Sequence, residues 1–403
     1  MEKKKFKLGL IPRLIIAIIV GIAMGQMKFL PPALLRILVT FASLFSGFLN
    51  FVIPLMIVGF VVKGIADLTD GAGKLLGITA LTAYGSTLIA GAIAYFVASN
   101  LFPAFITQEL VQKISESGEG LTPFFTIPLQ PLLDVTAAIV FAFMMGLSIS
   151  WLRSKGKGAV LYEAFDDFGE IITKVLETII IPFLPIYIAG NFANMSYSGS
   201  VFSVMSVFWK VFLVVIVMHI LYISAMFIVL GTIGGKNPFK AIRNQIPGYL
   251  TAIGTQSSAA TIPVNLKCAE KNGVSEDIRN FVVPLCATIH LAGSMITITS
   301  CATAVLLMYQ IPHTFTMIIG FIAMLGVAMV AAPGAPGGAI MAALPFMPMV
   351  GITTDVLQQL MITLYITQDS FGTAANVSGD NAIAIFIDKI YAKDRKKAET
   401  TTE

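Results

Sequence analysis

Residues 368–380 of this 403-residue chain read QDSFGTAANVSGD and lie within a long apolar region. Four polar side chains in this stretch stand at positions i, i+4, i+7 and i+11: Asp369, Thr373, Asn376 and Asp380. At about 100° per residue they share one helix face roughly 60° wide. An ionisable side chain in lipid costs at least about 2.5–3.5 kcal/mol, so it usually faces a cavity or a pathway. We interpret this polar face as the solute and ion site of a membrane carrier.

The composition indicates the class of protein. Hydrophobic residues make up 56% of the chain and charged residues 12%, whereas a soluble protein carries about twice that charged fraction. We therefore predict an all-α polytopic protein embedded in the lipid bilayer. The net charge of +4 does not indicate a nucleic-acid partner, because the basic residues fall in short loops. Eight apolar runs are long enough to cross about 30 Å of hydrocarbon; they lie near 9–27, 33–63, 76–102, 130–152, 168–193, 203–234, 281–309 and 355–387.

The distribution of Lys and Arg predicts how the spans are oriented. The N-terminus, the loops around 63–74, 153–157 and 236–243, and the C-terminal KIYAKDRKK are basic. The loop 104–128 is acidic instead, with three Glu against one Lys. This alternation fits a multi-pass protein of the cell membrane whose two termini are both cytoplasmic.

Two further apolar stretches do not fit as simple spans. Residues 245–266 are interrupted by TQSSAATIP, and residues 318–348 by AAPGAPGGA. A Gly, Pro or Ser break at membrane depth is tolerated only where it is buried in protein or lines a cavity. We predict two re-entrant hairpins, which point to a transporter's binding site; kinked ordinary spans are the alternative. The run near 33–63 is longer than one crossing needs, which predicts a tilted or partly broken helix.

Both hairpin tips and one histidine are candidates for the site. Ser257 and Ser258 offer backbone amides at a half-helix end, which suit a carboxylate; serines that only satisfy a broken backbone are the alternative. The second tip, residues 332–338, offers only backbone groups and suits a gate. His290 is either hydrogen-bonded to a neighbouring carbonyl or binds an ion or carries a proton.

An absence bears on the solute. The chain has no Lys or Arg from 280 to 388, or from 244 to 266. A second carboxylate on a solute, bound away from water, would normally need a cationic partner. A small neutral amino acid needs none, because backbone amides and Asn376 can meet its carboxylate and Asp369 can meet its ammonium. The sequence therefore favours that class of solute.

Other classes of function make different demands. An ion channel or a sensor on this scaffold would show conductance without saturable solute exchange. An intramembrane enzyme would need a catalytic pair, but Asp369 and Asp380 lie about 16 Å apart along a helix, too far to share a proton. A purely structural polar pair is the remaining alternative for these carboxylates. We expect a transporter without enzymatic activity.

Three segments resemble the dicarboxylate/amino acid:cation symporter family, which includes glutamate, neutral amino acid and serine/threonine carriers. The segment NPFKAIRNQIPGYLTAIGTQSSAATIPVNLKCAEKNGVSEDIRNFVVPLCATI is similar to the family's first hairpin and the start of its seventh span. GAPGGAIM is similar to the second hairpin tip, and QDSFGTAANVSGD to the eighth span. The serine/threonine:sodium symporter branch is closest in pattern.

The resemblance implies an elevator-type transporter, a homotrimer whose subunits have eight transmembrane helices and two re-entrant hairpins. It implies a scaffold and a mobile transport domain, with the second hairpin as the outer gate. The implied divisions are 1–75 (scaffold spans one and two), 76–128 (third span and external loop, transport domain), 129–199 (scaffold spans four and five), 200–391 (transport domain, with hairpin one at about 240–268 and hairpin two at about 315–350) and 392–403 (cytoplasmic tail).

The resemblance also implies roles for single residues. Asn376 would bind the α-carboxylate, Asp369 the amino group, and Asp380 the coupling ion, sodium. The implied solute site comprises Ser257, Ser258, Ser294, Gly334, Ala335, Pro336, Gly337, Asp369, Thr373 and Asn376. The implied ion sites comprise Asp380, Asn376, Cys286, Thr288 and His290, with Tyr84 and Thr87 at a third ion site.

Three departures from the family pattern refine the prediction. Gly372 stands where acidic-substrate carriers have an arginine, and Gln256 where some have another, so both argue against glutamate or aspartate. Residues 290–294 read HLAGS in place of the usual Asn-Met-Asp-Gly-Thr, which argues against the third ion site. We predict a sodium-coupled symporter that imports serine, threonine or alanine. A dicarboxylate or acidic amino acid symporter, and coupling to protons, are the alternatives.

Overall fold

The computed structural model describes residues 10–27, 29–68, 74–133, 135–330 and 337–401. Throughout these ranges the regular secondary structure is helical, which confirms the predicted all-α class. The α-helices in chain order are α1 (Leu10–Gln26), α2 (Pro32–Leu68), α3 (Lys74–Leu101), α4 (Gln108–Ser115), α5 (Val135–Ser154), α6 (Ala159–Val175), α7 (Ile181–Ser198), α8 (Val201–Met226), α9 (Pro238–Thr255), α10 (Ser258–Lys271), α11 (Glu276–Ile289), α12 (Ala292–Met308), α13 (Phe315–Val330), α14 (Gly338–Ala343) and α15 (Asp355–Thr401).

Several helices are long and apolar enough to cross a membrane. Among the described residues five stretches meet that requirement: Pro32–Lys63, Leu75–Ala104, Ala159–Ser198, Val201–Gly231 and Glu276–Met308. Shorter apolar helices cover Pro12–Gln26, Val140–Ser154, Phe315–Met329 and Gly338–Val350. The prediction of a multi-pass membrane protein is confirmed, while the number of eight spans stays a prediction.

Two of the predicted spans differ in form from the expectation. The helix near 33–63 is not broken: α2 runs through Pro54 as one helix of 37 residues, about 55 Å long at 1.5 Å per residue. The span near 168–193 begins earlier, at Ala159, and passes through a π-helical turn at Leu176–Ile180 into α7. In addition, the loop predicted to be external contains a short helix, α4, which is capped by the side chain of Thr107.

The seventh span is interrupted, which the sequence did not predict. α11 ends at Ile289 and α12 begins at Ala292, with His290 and Leu291 in extended or irregular conformations. The break leaves the first backbone N–H groups of α12 without intrahelical acceptors. These N–H groups become available to side chains of α15.

Both predicted hairpins are pairs of helices that pack against each other. In hairpin one, α9 and α10 meet at Gln256, whose φ of 54° reverses the chain, and at Ser257, whose side chain caps α10. In hairpin two, α13 packs against α14 and the following 3₁₀ turn, Leu344–Val350. The tip of hairpin two at 331–336, including Gly334, Ala335 and Pro336, lies outside the described residues.

The helices form two sets by their contacts. α1 packs against α7, and α2 packs against α5, α6 and α7. α15 packs against α8, α9, α10, α11 and α12, and α3 lies on α12. Small residues permit close approach in the first set, where a Cβ at Gly190 would lie 2.7 Å from the carbonyl oxygen of Leu38. α15, which carries the polar stripe, is therefore enclosed by the second set.

Candidate solute and ion site

The polar stripe of α15 is buried along its whole length. The exposed fraction is 4% for Asp369, 5% for Thr373, 2% for Asn376 and 0% for Asp380. A buried polar side chain is costly unless its atoms find partners. The partners at each level of the stripe therefore indicate what that level can do.

Asp369 is bound by neutral donors. Its Oδ2 accepts the backbone N–H of Gly337, at the start of α14, at 2.7 Å. Its Oδ1 accepts the hydroxyl of Tyr365, one helical turn earlier, at 2.8 Å, and Thr373 also hydrogen-bonds this carboxylate. The structure thus brings Asp369, Thr373 and Gly337 together, with hairpin two bonded directly to the stripe.

Asn376 contacts the break in the seventh span. Its Oδ1 accepts the backbone N–H of Gly293 at 2.8 Å and that of Ser294 at 3.2 Å. Its Nδ2 donates to Ser294 Oγ at 3.0 Å. Asn376 therefore caps α12 from the side, and its amide is fixed where the free N–H groups of a helix start could also meet a carboxylate.

Asp380 forms a fully buried pair with His290. Asp380 Oδ1 lies 3.0 Å from His290 Nδ1, and neither side chain is exposed. His290 Nε2 is 3.0 Å from Ser86 Oγ, which is 2.9 Å from the hydroxyl of Tyr222. A Cβ at Gly379 would overlap His290 Cε1. Both ring nitrogens are therefore engaged, and the imidazole fits closely against α15.

The surroundings of Asp380 fit a hard cation in part. Its Oδ2 is buried and has no hydrogen-bond partner among the described residues, and a carboxylate oxygen is a ligand that such a cation accepts. The carbonyl of Cys286, four residues before His290, already accepts the N–H of His290 at 2.8 Å. The described residues contain no cluster of three or more His, Cys, Asp or Glu that could hold a metal ion. An ion here would rely on Asp380 and backbone oxygens.

The other predicted ion ligands have side chains engaged elsewhere. Thr288 is exposed and its hydroxyl donates to Leu285 O at 2.8 Å, while its predicted contribution, a backbone oxygen at a second sodium site closed by hairpin two, stays a prediction. Tyr84 donates to Ala323 O of α13 at 3.0 Å, and Thr87 donates back to Ala83 O at 2.9 Å. These contacts do not bring the two third-span side chains to Asp380, and their ion-binding role stays a prediction.

Hairpin one is fixed to α15 near Asp380. Asn381 Nδ2 donates to Asn265 Oδ1 at 2.7 Å, and Gln245 Nε2 donates to the same oxygen at 2.9 Å. Ser257, at the tip, accepts the N–H of Ala260 at 3.2 Å, and Ser258 is buried. The contact of Ser257 is the one expected of a residue that satisfies a broken helix, and the solute role of both serines stays a prediction.

Residue 372 lies where α15 and α12 approach most closely. A Cβ at Gly293 would overlap the carbonyl oxygen of Gly372, and a Cβ at Gly372 would lie 3.5 Å from Thr297 Oγ1. Thr297 Oγ1 is itself 3.1 Å from Nε2 of His219, a fully buried residue of α8. Thr297, which also contacts His219, therefore lies against Gly372.

Comparison with known proteins agrees with the geometry. The model of the sodium:dicarboxylate symporter family matches residues 10–390. The chain belongs to this family. The family resemblance drawn from the three motifs is therefore confirmed, and the chain is a membrane transporter.

Three relatives of this chain are transporters by name. The chain is 27% identical to the serine/threonine transporter SstT of Bifidobacterium adolescentis over 91% of this chain and 87% of that protein. It is 25% identical to SstT of Acinetobacter baumannii over 95% of this chain and 97% of that protein. It is also 26% identical to the human excitatory amino acid transporter 1, over 72% of this chain and 54% of that protein.

Four residues of the site were not identified from the sequence. Tyr365 and Tyr222 lie in continuous apolar runs, where an aromatic residue is usually part of the core. Ser86 and His219 are polar residues in helices that are otherwise largely apolar. The position of Tyr365, four residues before Asp369 on the same helix face, is a signal that could have identified it.

Proposed function

We infer that this chain is a sodium-coupled secondary active symporter that imports a small neutral L-amino acid of the serine, threonine and alanine class. The observation that carries this inference is the environment of Asp369. This buried carboxylate is bonded to a backbone N–H and a phenol, and the sequence has no Lys or Arg from 280 to 388. A solute ammonium is the cation that such a carboxylate lacks.

The solute carboxylate would bind one level further along the stripe. Asn376 and the N–H groups of Gly293 and Ser294 lie together there, at the positive end of the α12 dipole. The tips of both hairpins would complete the site, with Ser257 and Ser258 on one side and residues 334–337 on the other. The names of the serine/threonine transporters among the relatives support this class of solute.

Sodium would bind at Asp380, with backbone oxygens of Cys286 and Asn376. The unpartnered Oδ2 of Asp380 supports this assignment, as does the family's description. The pair of His290 and Asp380 favours a second candidate, coupling to protons, because an imidazole beside a carboxylate can hold a proton. The two candidates differ in the gradient that drives uptake.

The contacts between helices support an elevator-type mechanism. The set of α1, α2, α5, α6 and α7 would be the scaffold, and the set around α15 would move across the bilayer, with hairpin two as the outer gate. The bond from the backbone N–H of Gly337 to Asp369 supports the role of gate, because such a bond can be exchanged for one to a solute. We propose a homotrimer in the cell membrane with both termini in the cytoplasm.

A dicarboxylate or acidic amino acid is the second candidate solute. The family's description and the similarity to excitatory amino acid transporter 1 favour it. Gly372 argues against it, because the space beside it is occupied by Thr297 and contains no guanidinium.

Uptake by the full-length protein in proteoliposomes tests the proposal. Radiolabelled L-serine, L-alanine, L-aspartate and succinate are supplied under an inward sodium gradient, an inward proton gradient, or neither. We expect saturable uptake of serine and alanine with the sodium gradient alone. Uptake driven by the proton gradient would show that the coupling ion is the proton and not sodium. Uptake of aspartate or succinate without uptake of serine would contradict the assignment of a neutral amino acid as the solute.

A further inference from the structure

Tyr365 lies on α15 one helical turn before Asp369 and is fully buried. Its ring belongs to the apolar core that includes α12 and α15, where a phenylalanine ring would also fit. A buried phenol hydroxyl costs free energy unless it is hydrogen-bonded. The hydroxyl is therefore the part of this side chain that packing does not explain.

The hydroxyl lies between the two groups assigned to the solute. It is 2.8 Å from Asp369 Oδ1 and 3.0 Å from Ser294 Oγ. Ser294 Oγ also accepts a hydrogen bond from Asn376 Nδ2 at 3.0 Å. A continuous chain of hydrogen bonds thus joins the amide proposed to hold the solute carboxylate to the carboxylate proposed to hold its ammonium.

A phenol has one proton to donate and can also accept a hydrogen bond. Its proton can serve only one of Asp369 and Ser294 at a time. A solute ammonium that donates to Asp369 brings protons of its own, so the phenol becomes available to another partner. The β-hydroxyl of serine or threonine is attached next to the α-carbon, between the ammonium and carboxylate ends, and so it is the solute atom closest to this phenol.

We propose that Tyr365 determines specificity by hydrogen-bonding the side-chain hydroxyl of serine or threonine. This inference rests on the proposed function, because it requires the solute ammonium at Asp369 and the carboxylate near Asn376. Ser294 Oγ, beside the phenol, completes the pair of polar atoms around the solute hydroxyl. Alanine fits the same space but leaves these polar atoms one partner short, so it should bind less tightly than serine by about the worth of one neutral hydrogen bond.

The test compares solutes with and without the hydroxyl, in wild type and in Tyr365→Phe. Half-saturating concentrations for uptake into proteoliposomes are measured for L-serine against L-alanine, and for L-threonine against L-2-aminobutyrate. We expect the wild type to prefer each hydroxyl-bearing solute by roughly fivefold, the usual effect of one neutral hydrogen bond. In Tyr365→Phe the preference for the hydroxyl-bearing solute should fall to about one, since the cycle isolates the pairwise interaction.

Two more variants make the result specific. Tyr187→Phe, which removes the hydroxyl of a buried tyrosine on α7, should keep the preference of the wild type. Ser294→Ala should also reduce the preference. An unchanged serine-to-alanine ratio in Tyr365→Phe, an equal loss for both solutes, or a wild type that does not distinguish them overturns the proposal. Failure of serine and alanine alike to enter with the wild type overturns the proposed function instead.

Discussion

The two carboxylates of α15 share one face of one helix but differ in what holds them. Both oxygens of Asp369 accept hydrogen bonds from neutral groups, one of them the backbone N–H of Gly337 in hairpin two. Asp380 is paired with His290 through one oxygen, and its other oxygen has no partner in the described part of the chain. Asp369 is thus hydrogen-bonded by groups that a solute can replace. Asp380 instead keeps one carboxylate oxygen available to a cation.

The two hairpins differ in the same way. Hairpin one is joined to α15 beside Asp380 by the buried amides of Gln245, Asn265 and Asn381. Hairpin two reaches Asp369 through a backbone N–H. Side-chain amides must all separate together, whereas one backbone bond can exchange with a solute. The difference favours the proposal that the Asp369 end of the stripe opens while the Asp380 end keeps its shape.

Removal of Asp369, the carboxylate proposed to bind the solute ammonium, should have the largest effect. In Asp369→Ala we expect L-serine affinity to fall at least about a hundredfold, because a buried ammonium would lose its only anionic partner. Isothermal titration calorimetry of the purified protein measures the loss. Asp355→Ala, an exposed acid at the start of the same helix, is the control and should bind serine as the wild type does. Serine affinity that is unchanged in Asp369→Ala would remove Asp369 from the site.

Disturbing the ion end should have the next largest effect. In Gly379→Ala the new Cβ overlaps His290 Cε1, so the imidazole must move away from Asp380 at a cost of about 1–3 kcal/mol. We expect the rate of sodium-driven serine uptake to fall about tenfold or more. Gly85→Ala is the matched control, since a Cβ there has no atom of another residue within 4 Å. Equal rates in the two variants would show that the fit of His290 against α15 has no role in transport.

Removal of the His290 imidazole should strengthen sodium binding at Asp380. His290→Asn frees an Asp380 oxygen for sodium, and a hydrogen bond to a charged group is worth about 1.5–3 kcal/mol. We expect the half-saturating sodium concentration to fall about tenfold, with His313→Asn, in the loop before α13, as the control. If a proton gradient drives uptake by the wild type and His290→Asn abolishes it, the ion end carries a proton and sodium has no part there.

The third-span residue should have the smallest effect. The Thr87 hydroxyl bonds to the carbonyl of Ala83 on its own helix, so Thr87→Val removes a bond that contributes little. We expect an unchanged Hill coefficient for sodium in serine uptake. A coefficient lowered by about one would place a third ion at this level of the site and contradict a purely local role for the Thr87 hydroxyl.

The large features of the fold follow from the sequence because their signals are local. Apolar length predicted the helices, and Gly, Ser and Pro runs predicted both hairpins. The break in the seventh span was missed because His290 and Leu291 themselves carry no Gly, Ser or Pro signal of a break, and it is the side chain of Asn376, 83 positions from Gly293, that satisfies the exposed N–H groups. The hydrogen bonds of Ser86 with Tyr222 and with His290 were also missed, because these three residues come from separate helices.

The residues of the site likewise differ in whether the sequence alone could identify them. The stripe of α15 was predicted because its residues share one helix face, a property of a single segment. Tyr365 shares that face too, but an aromatic residue in an apolar run is usually interpreted as core, and its ring does pack there; the contact of its hydroxyl with Asp369 is what the structure adds. Gly372 could be interpreted from the missing arginine, whereas its contact with Thr297 needed the packing of α12.

Competition for the solute site tests the central claim most directly, that this stripe binds a neutral amino acid by its ammonium and its one carboxylate. Purified wild-type protein in saturating sodium is equilibrated with radiolabelled L-serine, and unlabelled L-alanine, L-threonine, L-aspartate or succinate is added. The account predicts that alanine and threonine displace serine and that aspartate and succinate do not. Displacement by aspartate at concentrations as low as those of serine itself would contradict it.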